Sequence, residues 1–134
     1  MTRRLLIAAI ALLLPFSAAA DSKLAPRSDG RLEKAVLFDY GKTRVRSTGR
    51  STLAAVARMW RAVPVPMKIT VEGHGYALEE EASIELGYRR ALRVRERLIA
   101  EGVDPRFIEA VGHSRAEIGR YVDLVFSTPP GRTR

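Results

Sequence analysis

The chain has 134 residues, 46% hydrophobic and 28% charged, with 23 basic against 15 acidic residues and a formal net charge of +8. That length suits one domain with one modest core. With no cysteine, disulfides, thiolate metal sites, a thiol nucleophile and a lipid-modified N-terminal cysteine are all excluded; the positive excess suits an anionic partner, whether nucleic acid, lipid headgroups or an acidic cell-wall polymer.

Met1-Thr2-Arg3-Arg4 is a short basic start, Leu5 to Phe16 is apolar with one proline, and Ser17-Ala18-Ala19-Ala20 supplies small residues before Asp21. Residues 1–20 are therefore expected to be a secretory signal, too short to stay in a bilayer as a spanning helix. Export points to the periplasm and sets nucleic acid aside. Residues 21–34 are polar and are expected to form a linker, 35–127 the domain, and 128–134, with two prolines and two arginines, a loose tail.

Ala35 to Tyr40 is expected to be a strand, and Gly41 to Gly49 a basic loop. From Ser51 the spacing predicts a helix, with Leu53, Val56, Ala57 and Trp60 on one face. Thr48 or Ser51 is the candidate cap, and Pro64 and Pro66 end the helix. Met67 to Glu72 alternates as a half-buried strand does, and Gly73-His74-Gly75 is expected to break it. A second helix should run from about Glu80 to Ala100, with Ile84, Ala91, Val94 and Leu98 as its buried stripe. Gly87 on that stripe permits close approach, and Glu85–Arg89 is an i,i+4 ion pair. Gly102 is the expected C-cap and Asp104-Pro105 a turn. Phe107 to Val111 and Tyr121 to Phe126 should be strands, close enough to pair as a hairpin. The order β-α-β-α-β-β predicts an α/β sandwich: one mixed sheet with both helices on one face.

The chemistry concentrates in VEGHGYALEEEASIELGYRRA, Val71 to Ala91. His74 and His113 each follow a glycine, and neighbouring parallel strands would bring them together, with Glu79, Glu80 or Glu81 as added oxygen ligands. No His-x-x-x-His spacing supports a metal, and none is expected. Ser114 beside His113 is not a nucleophile–base arrangement, and no Gly-x-Ser-x-Gly elbow is present. Glu79–Glu81 suit a solvated first turn that complements the helix dipole. Arg90 lies on the shoulder of the helix stripe, about 80° from its centre. The positions one turn back are Leu86 and Gly87, so Arg90 is expected to be available to hold a carboxylate through two parallel hydrogen bonds.

Five segments, in order, resemble the OmpA-like peptidoglycan-binding domain, most closely that of the peptidoglycan-associated lipoproteins. Val36-Leu37-Phe38-Asp39-Tyr40 is similar to the family's opening Phe-Asp-Phe strand. Lys68-Ile69-Thr70-Val71-Glu72-Gly73-His74 is similar to its second strand and Gly-His turn. Leu86-Gly87-Tyr88-Arg89-Arg90-Ala91 with Val94 matches the arginine-bearing helix motif. Glu101-Gly102-Val103 before Phe107-Ile108 matches the approach to the third strand, and Gly119-Arg120-Tyr121-Val122 the closing Asn-Arg-Arg-Val.

The resemblance implies non-catalytic, non-covalent binding of the peptidoglycan stem peptide, with no cofactor. In the family an aspartate two residues after the Gly-His takes the ammonium of diaminopimelate, and the helix arginine takes its carboxylate. Arg90 matches the arginine. The aspartate position falls on Tyr76, the family's upstream asparagine on Ser83, and one closing arginine on Tyr121; the loop and short helix before it are reduced to Arg115-Ala116-Glu117-Ile118. Asp39, Tyr40, His74, Gly75 and Tyr76 are expected to shape the cleft, with Glu79, Glu80 or Glu81 as a replacement carboxylate. The alternative is a domain that keeps the fold, has lost the wall ligand and contacts another envelope protein.

Overall fold

The computed structural model describes residues 26–27, 29–76, 83–115 and 119–128, the side chains of 83, 114 and 115 excepted. The expected leader 1–20, Glu79–Glu81, the 116–118 stretch and the tail beyond 128 lie outside the described residues. Strand β1 is Arg31–Leu37, helix α1 Ser47–Ala62, β2 Lys68–Tyr76, α2 Ser83–Ala100, β3 Ile108–Arg115 and β4 Tyr121–Ser127, with one 3-10 turn at Pro105–Phe107 before β3. The expected β-α-β-α-β-β order and mixed sheet hold. The expected hairpin does not: the sheet order is β1-β4-β2-β3. β4 inserts antiparallel between β1 and β2, and β3 lies parallel to β2 on the outer side. Chain proximity suggests a hairpin, but Val122, Leu124 and Phe126 find their apolar cover at the sheet centre, where each is at most 1% exposed.

β1 begins at Arg31, inside the expected linker, because one irregularity hides its period. Leu32 pairs with Leu124 and Val36 with Val122, so four steps on β1 face two on β4. Lys34 takes up the slack at φ 51, and its N–H donates to the Asp123 carboxylate at 2.7 Å. Phe38 leaves the strand but stays buried, its N–H bonded to the Arg120 carbonyl.

Helix α1 starts at Ser47, four residues earlier than expected. Its N-cap is Arg46, without a side-chain cap bond, so neither Thr48 nor Ser51 caps it. Leu53, Val56 and Ala57 are buried as expected, and Met59 joins them. Trp60 packs at the edge and donates from Nε1 to the Met67 carbonyl at 2.7 Å.

β2 is not broken by Gly73-His74-Gly75; it runs through to Tyr76. A Cβ built on Gly73 would lie 1.9 Å from the Gly87 carbonyl oxygen, and one on Gly87 would lie 2.5 Å from that of Gly73. The two glycines bring the backbones of α2 and β2 into contact, which any side chain would prevent.

The stripe of α2 also differs. Ile84, at the first turn, is 57% exposed, whereas Leu86 is buried. Exchanging one for the other rotates the buried face toward Arg90. Ala91, Val94 and Leu98 are 0% exposed, and each large apolar side chain buried in this way contributes about 1.5–3 kcal/mol. The helix closes on Gly102 at φ +108. Val103 N–H bonds the Leu98 carbonyl and Gly102 N–H that of Ile99, the paired bonds of a Schellman end. No described helix is long and apolar enough to cross a membrane.

Candidate functional site

The carboxyl end of β2, the loop after β1 and the residues entering β4 meet over the first half of α2, and Arg90 sits at their junction. Its guanidinium is 0% exposed. Nε donates to the Lys42 carbonyl at 2.9 Å, Nη1 to His74 at 3.0 Å and to Gly119 at 3.5 Å, and Nη2 to Asp39 at 3.1 Å. Its Cζ lies 5.2 Å from the centre of the Phe38 ring. The availability expected of Arg90 is thus corrected: the side chain ties three separated segments together through their backbone carbonyls. Burying the cation is tolerable because these oxygens replace its water shell.

The expected cleft residues divide between the two faces of the sheet. Side chains alternate along β2, so Gly73 and Gly75 lie on the helix side, and His74 and Tyr76 on the other. His74 therefore meets Arg90 through its carbonyl alone. Asp39 and Tyr40 are exposed above Arg90. The Asp39 carboxylate is 3.2 Å from Arg46 Nη1, with both side chains mostly exposed. Tyr76 is half-buried at the end of β2, in register with Arg115. The Glu85–Arg89 pair forms as expected, at 3.6 Å.

A second polar group lies on the helix-free face. Glu72 and Asp123 are cross-strand partners, and two carboxylates placed opposite repel. Arg31 Nη1 answers both, at 2.8 Å from Glu72 Oε1 and 3.0 Å from Asp123 Oδ2. His74 and His113 do come together, as β2–β3 register partners with rings stacked at 5.2 Å. Tyr121 covers the other side of His74 at 4.5 Å. Among the described residues neither buried ring nitrogen of His74 has a hydrogen-bond partner, and Nε2 stops 3.6 Å from Asp123 Oδ2. Ligand atoms of Glu72, His74 and Asp123 fall within 4.8 Å of one another. However, the Arg31 cation already bridges the two carboxylates, and a metal ion would have to displace it.

This network is hidden in the sequence because it depends on β4 lying beside β2. The alternation of Glu72 with His74, and Asp123 within an apolar strand, are its only local signs.

Burial pushes the Asp123 carboxyl up, but the His74 ring, the Lys34 N–H and the Arg31 charge together outweigh it and hold the group below its ordinary value. A depressed carboxyl stabilises the fold fully above the unfolded value of 3.8, and that contribution disappears as pH falls through the lower folded value. Asp123→Asn should therefore lower stability at neutral pH and flatten the loss below about pH 4. Urea titrations of both proteins from neutral to acid pH measure this. Parallel curves would refute the role of Asp123.

Sheet order, helix placement and the arginine-centred junction define a small α/β sandwich whose polar mouth lies at the end of its central strands. A family profile described as the OmpA family matches residues 37–121, and the chain belongs to the OmpA family. Outer membrane protein A of Bordetella avium is 31% identical over 78 residues, 58% of this chain and 40% of that protein; the chain thus spans less than half the length of that relative. The crystal structure of the peptidoglycan-associated lipoprotein from Burkholderia pseudomallei is similar over 68% of this chain and 87% of its own, at 26% identity and TM-score 0.56. The periplasmic domain of Helicobacter pylori MotB shares the fold at 20% identity and TM-score 0.60, over 76% of this chain and 74% of its own. So does the OmpA-like domain of FopA1 from Francisella tularensis, at 20% identity and TM-score 0.58, over 70% of each.

Proposed function

We propose that this chain is an exported envelope protein that attaches to peptidoglycan non-covalently and without catalysis, by gripping the zwitterionic end of a diaminopimelate stem peptide. Family membership and the likeness to a peptidoglycan-associated lipoprotein support the class. The observation carrying the site is the junction around Arg90, where a cation lies beneath the exposed Asp39 and Tyr40.

Two of the carbonyls that hold Arg90 belong to the loop that carries Asp39 and Tyr40. A ligand carboxylate reaches the guanidinium by replacing those bonds with a bidentate pair, which is charge-assisted and stronger. Asp39 then supplies the carboxylate for the ligand ammonium, in place of the aspartate that Tyr76 has replaced. Its exposed contact with Arg46 is a weak competitor. His74 and Gly75 serve as backbone at the mouth, Tyr76 ends β2 beside it with its ring turned to the opposite face, and Glu79 and Glu80 are the alternative source of the carboxylate.

Co-sedimentation with purified sacculi tests this. Wild type should pellet, and Asp39→Asn should bind about ten- to a hundredfold more weakly, the loss of one charge-assisted hydrogen bond, with an unchanged melting temperature. Equal binding by Asp39→Asn but not by a Glu79→Gln, Glu80→Gln double variant would assign the carboxylate to the glutamates. The closed state of Arg90 favours a second reading: a periplasmic interaction module that has kept the fold and lost the wall ligand. A wild-type chain that stays in the supernatant would remove wall binding as the main role.

A further inference from the structure

The charge of this chain is not spread over its surface. Segments 42–62 and 83–101, which form the helix layer and the loop leading into it, contain eleven basic and three acidic residues. That excess equals the net +8 of the whole chain; the remaining residues balance, twelve against twelve. The helix layer is therefore strongly basic, and of its eleven basic residues Arg90 alone is buried, whereas on the other face Glu72 and Asp123 are paired with Arg31.

Within that face lies a groove of about 540 Å³, walled by Thr43, Arg44, Val45 and Arg50 on one side and by Arg93, Glu96, Arg97 and Ala100 on the other. Four arginines thus line one opening beside a single acidic residue, Glu96. Arg50 donates to the Val45 carbonyl. Arg97 is held by Glu101 at 2.6 Å, and its buried Nε has no partner among the described residues. Arg44 and Arg93 are exposed, and neither side chain forms an ion pair or hydrogen bond with any described residue. The fold gains nothing evident from collecting these charges, which repel one another until an anion lies between them.

We propose that the helix layer is a docking surface for a membrane bearing phosphate lipid headgroups, with one headgroup seated in the Arg44–Arg93 groove. Guanidinium forks match phosphate oxygens in pairs, and every basic residue lining the groove is arginine. The same two segments carry the further exposed arginines Arg46, Arg58, Arg61 and Arg89. A flat anionic surface engages several of these at once, whereas a free phosphate meets only one or two. Segregation of the charge also orients the domain as it approaches. The groove is separate from the junction around Arg90, so wall attachment and membrane docking can be lost independently.

Vesicle co-sedimentation of the full chain tests this. Binding to vesicles of equal parts phosphatidylglycerol and phosphatidylcholine should exceed binding to phosphatidylcholine alone. It should disappear between about 0.1 M and about 1 M salt, as the screening length falls from about 10 Å to about 3 Å. An Arg44→Gln, Arg93→Gln double variant should bind about thirtyfold more weakly, from the contribution of two surface arginines, with an unchanged melting temperature and unchanged behaviour toward sacculi. Equal binding to both vesicle types, or a double variant that matches wild type, would overturn the proposal. Displacement from the vesicles by millimolar inorganic phosphate at constant ionic strength would also overturn it, in favour of a small-anion site.

Discussion

Replacing Gly73 with alanine should destabilise the domain by about 3 kcal/mol or more, beyond the usual cost of overpacking. The added Cβ has nowhere to go: it would meet the Gly87 carbonyl oxygen at 1.9 Å and the Ala91 nitrogen at 2.8 Å. Both are helix backbone, so no side-chain rotation relieves the contact. Helix α2 must retreat by an ångström or more, and Ala91, Val94 and Leu98, all 0% exposed, lose their packing with it. Thermal unfolding should show a drop of at least about 12 °C for a domain of this size. Gly41→Ala separates close approach from conformational freedom. Gly41 has φ +69, and a methyl group added there would meet nothing within 4 Å, so only the left-handed backbone matters, at about 1–2 kcal/mol. If Gly73→Ala cost no more than Gly41→Ala, the backbone contact between α2 and β2 would not be what fixes the helix on the sheet.

What is legible in the sequence follows from how local each signal is. The helices, the strand order along the chain and the glycine on the buried stripe of α2 all rest on periodicity over a few residues, and all are present. The errors arise where a residue answers to something distant. Ile84 has the right phase for the stripe, but it lies in the first turn and remains exposed, while Leu86 turns inward. The start of β1 is obscured because Lys34 leaves the strand conformation to meet a carboxylate 89 residues away. The hairpin expectation fails because adjacency in sequence says nothing about β4 being the strand able to fill the sheet centre. The sequence neighbours of His74 point to the cleft, but strand alternation turns its ring to the opposite face. The charge asymmetry is the reverse case: it is fully present in the sequence and becomes visible once the helix layer is assigned.

Arg90 is the residue on which sequence and structure differ most, and its replacement should have the other large effect. An arginine on a helix shoulder is ordinarily a surface group, and nothing within one turn of it predicts otherwise. Its partners, the carbonyls of Asp39, Lys42, His74 and Gly119, come from three segments far apart in the chain. Arg90→Met keeps much of the buried stem but removes every donor, leaving those oxygens in an apolar setting. The expected cost is about 3–5 kcal/mol, from several carbonyl oxygens left unsatisfied at about 1–3 kcal/mol each, read from urea unfolding as a lower midpoint with an unchanged slope. Arg90→Lys should fall between the two: its ammonium restores the charge but cannot span three segments with a planar fork. That ordering bears on function as well as stability. If the lysine variant folds and still pellets with sacculi, charge alone suffices for the ligand. If it folds and does not pellet, the fork itself must be what passes from the carbonyls to a ligand carboxylate. A methionine variant as stable as wild type would show that the carbonyl bonds contribute little, and that Arg90 is held ready at small cost for an incoming anion.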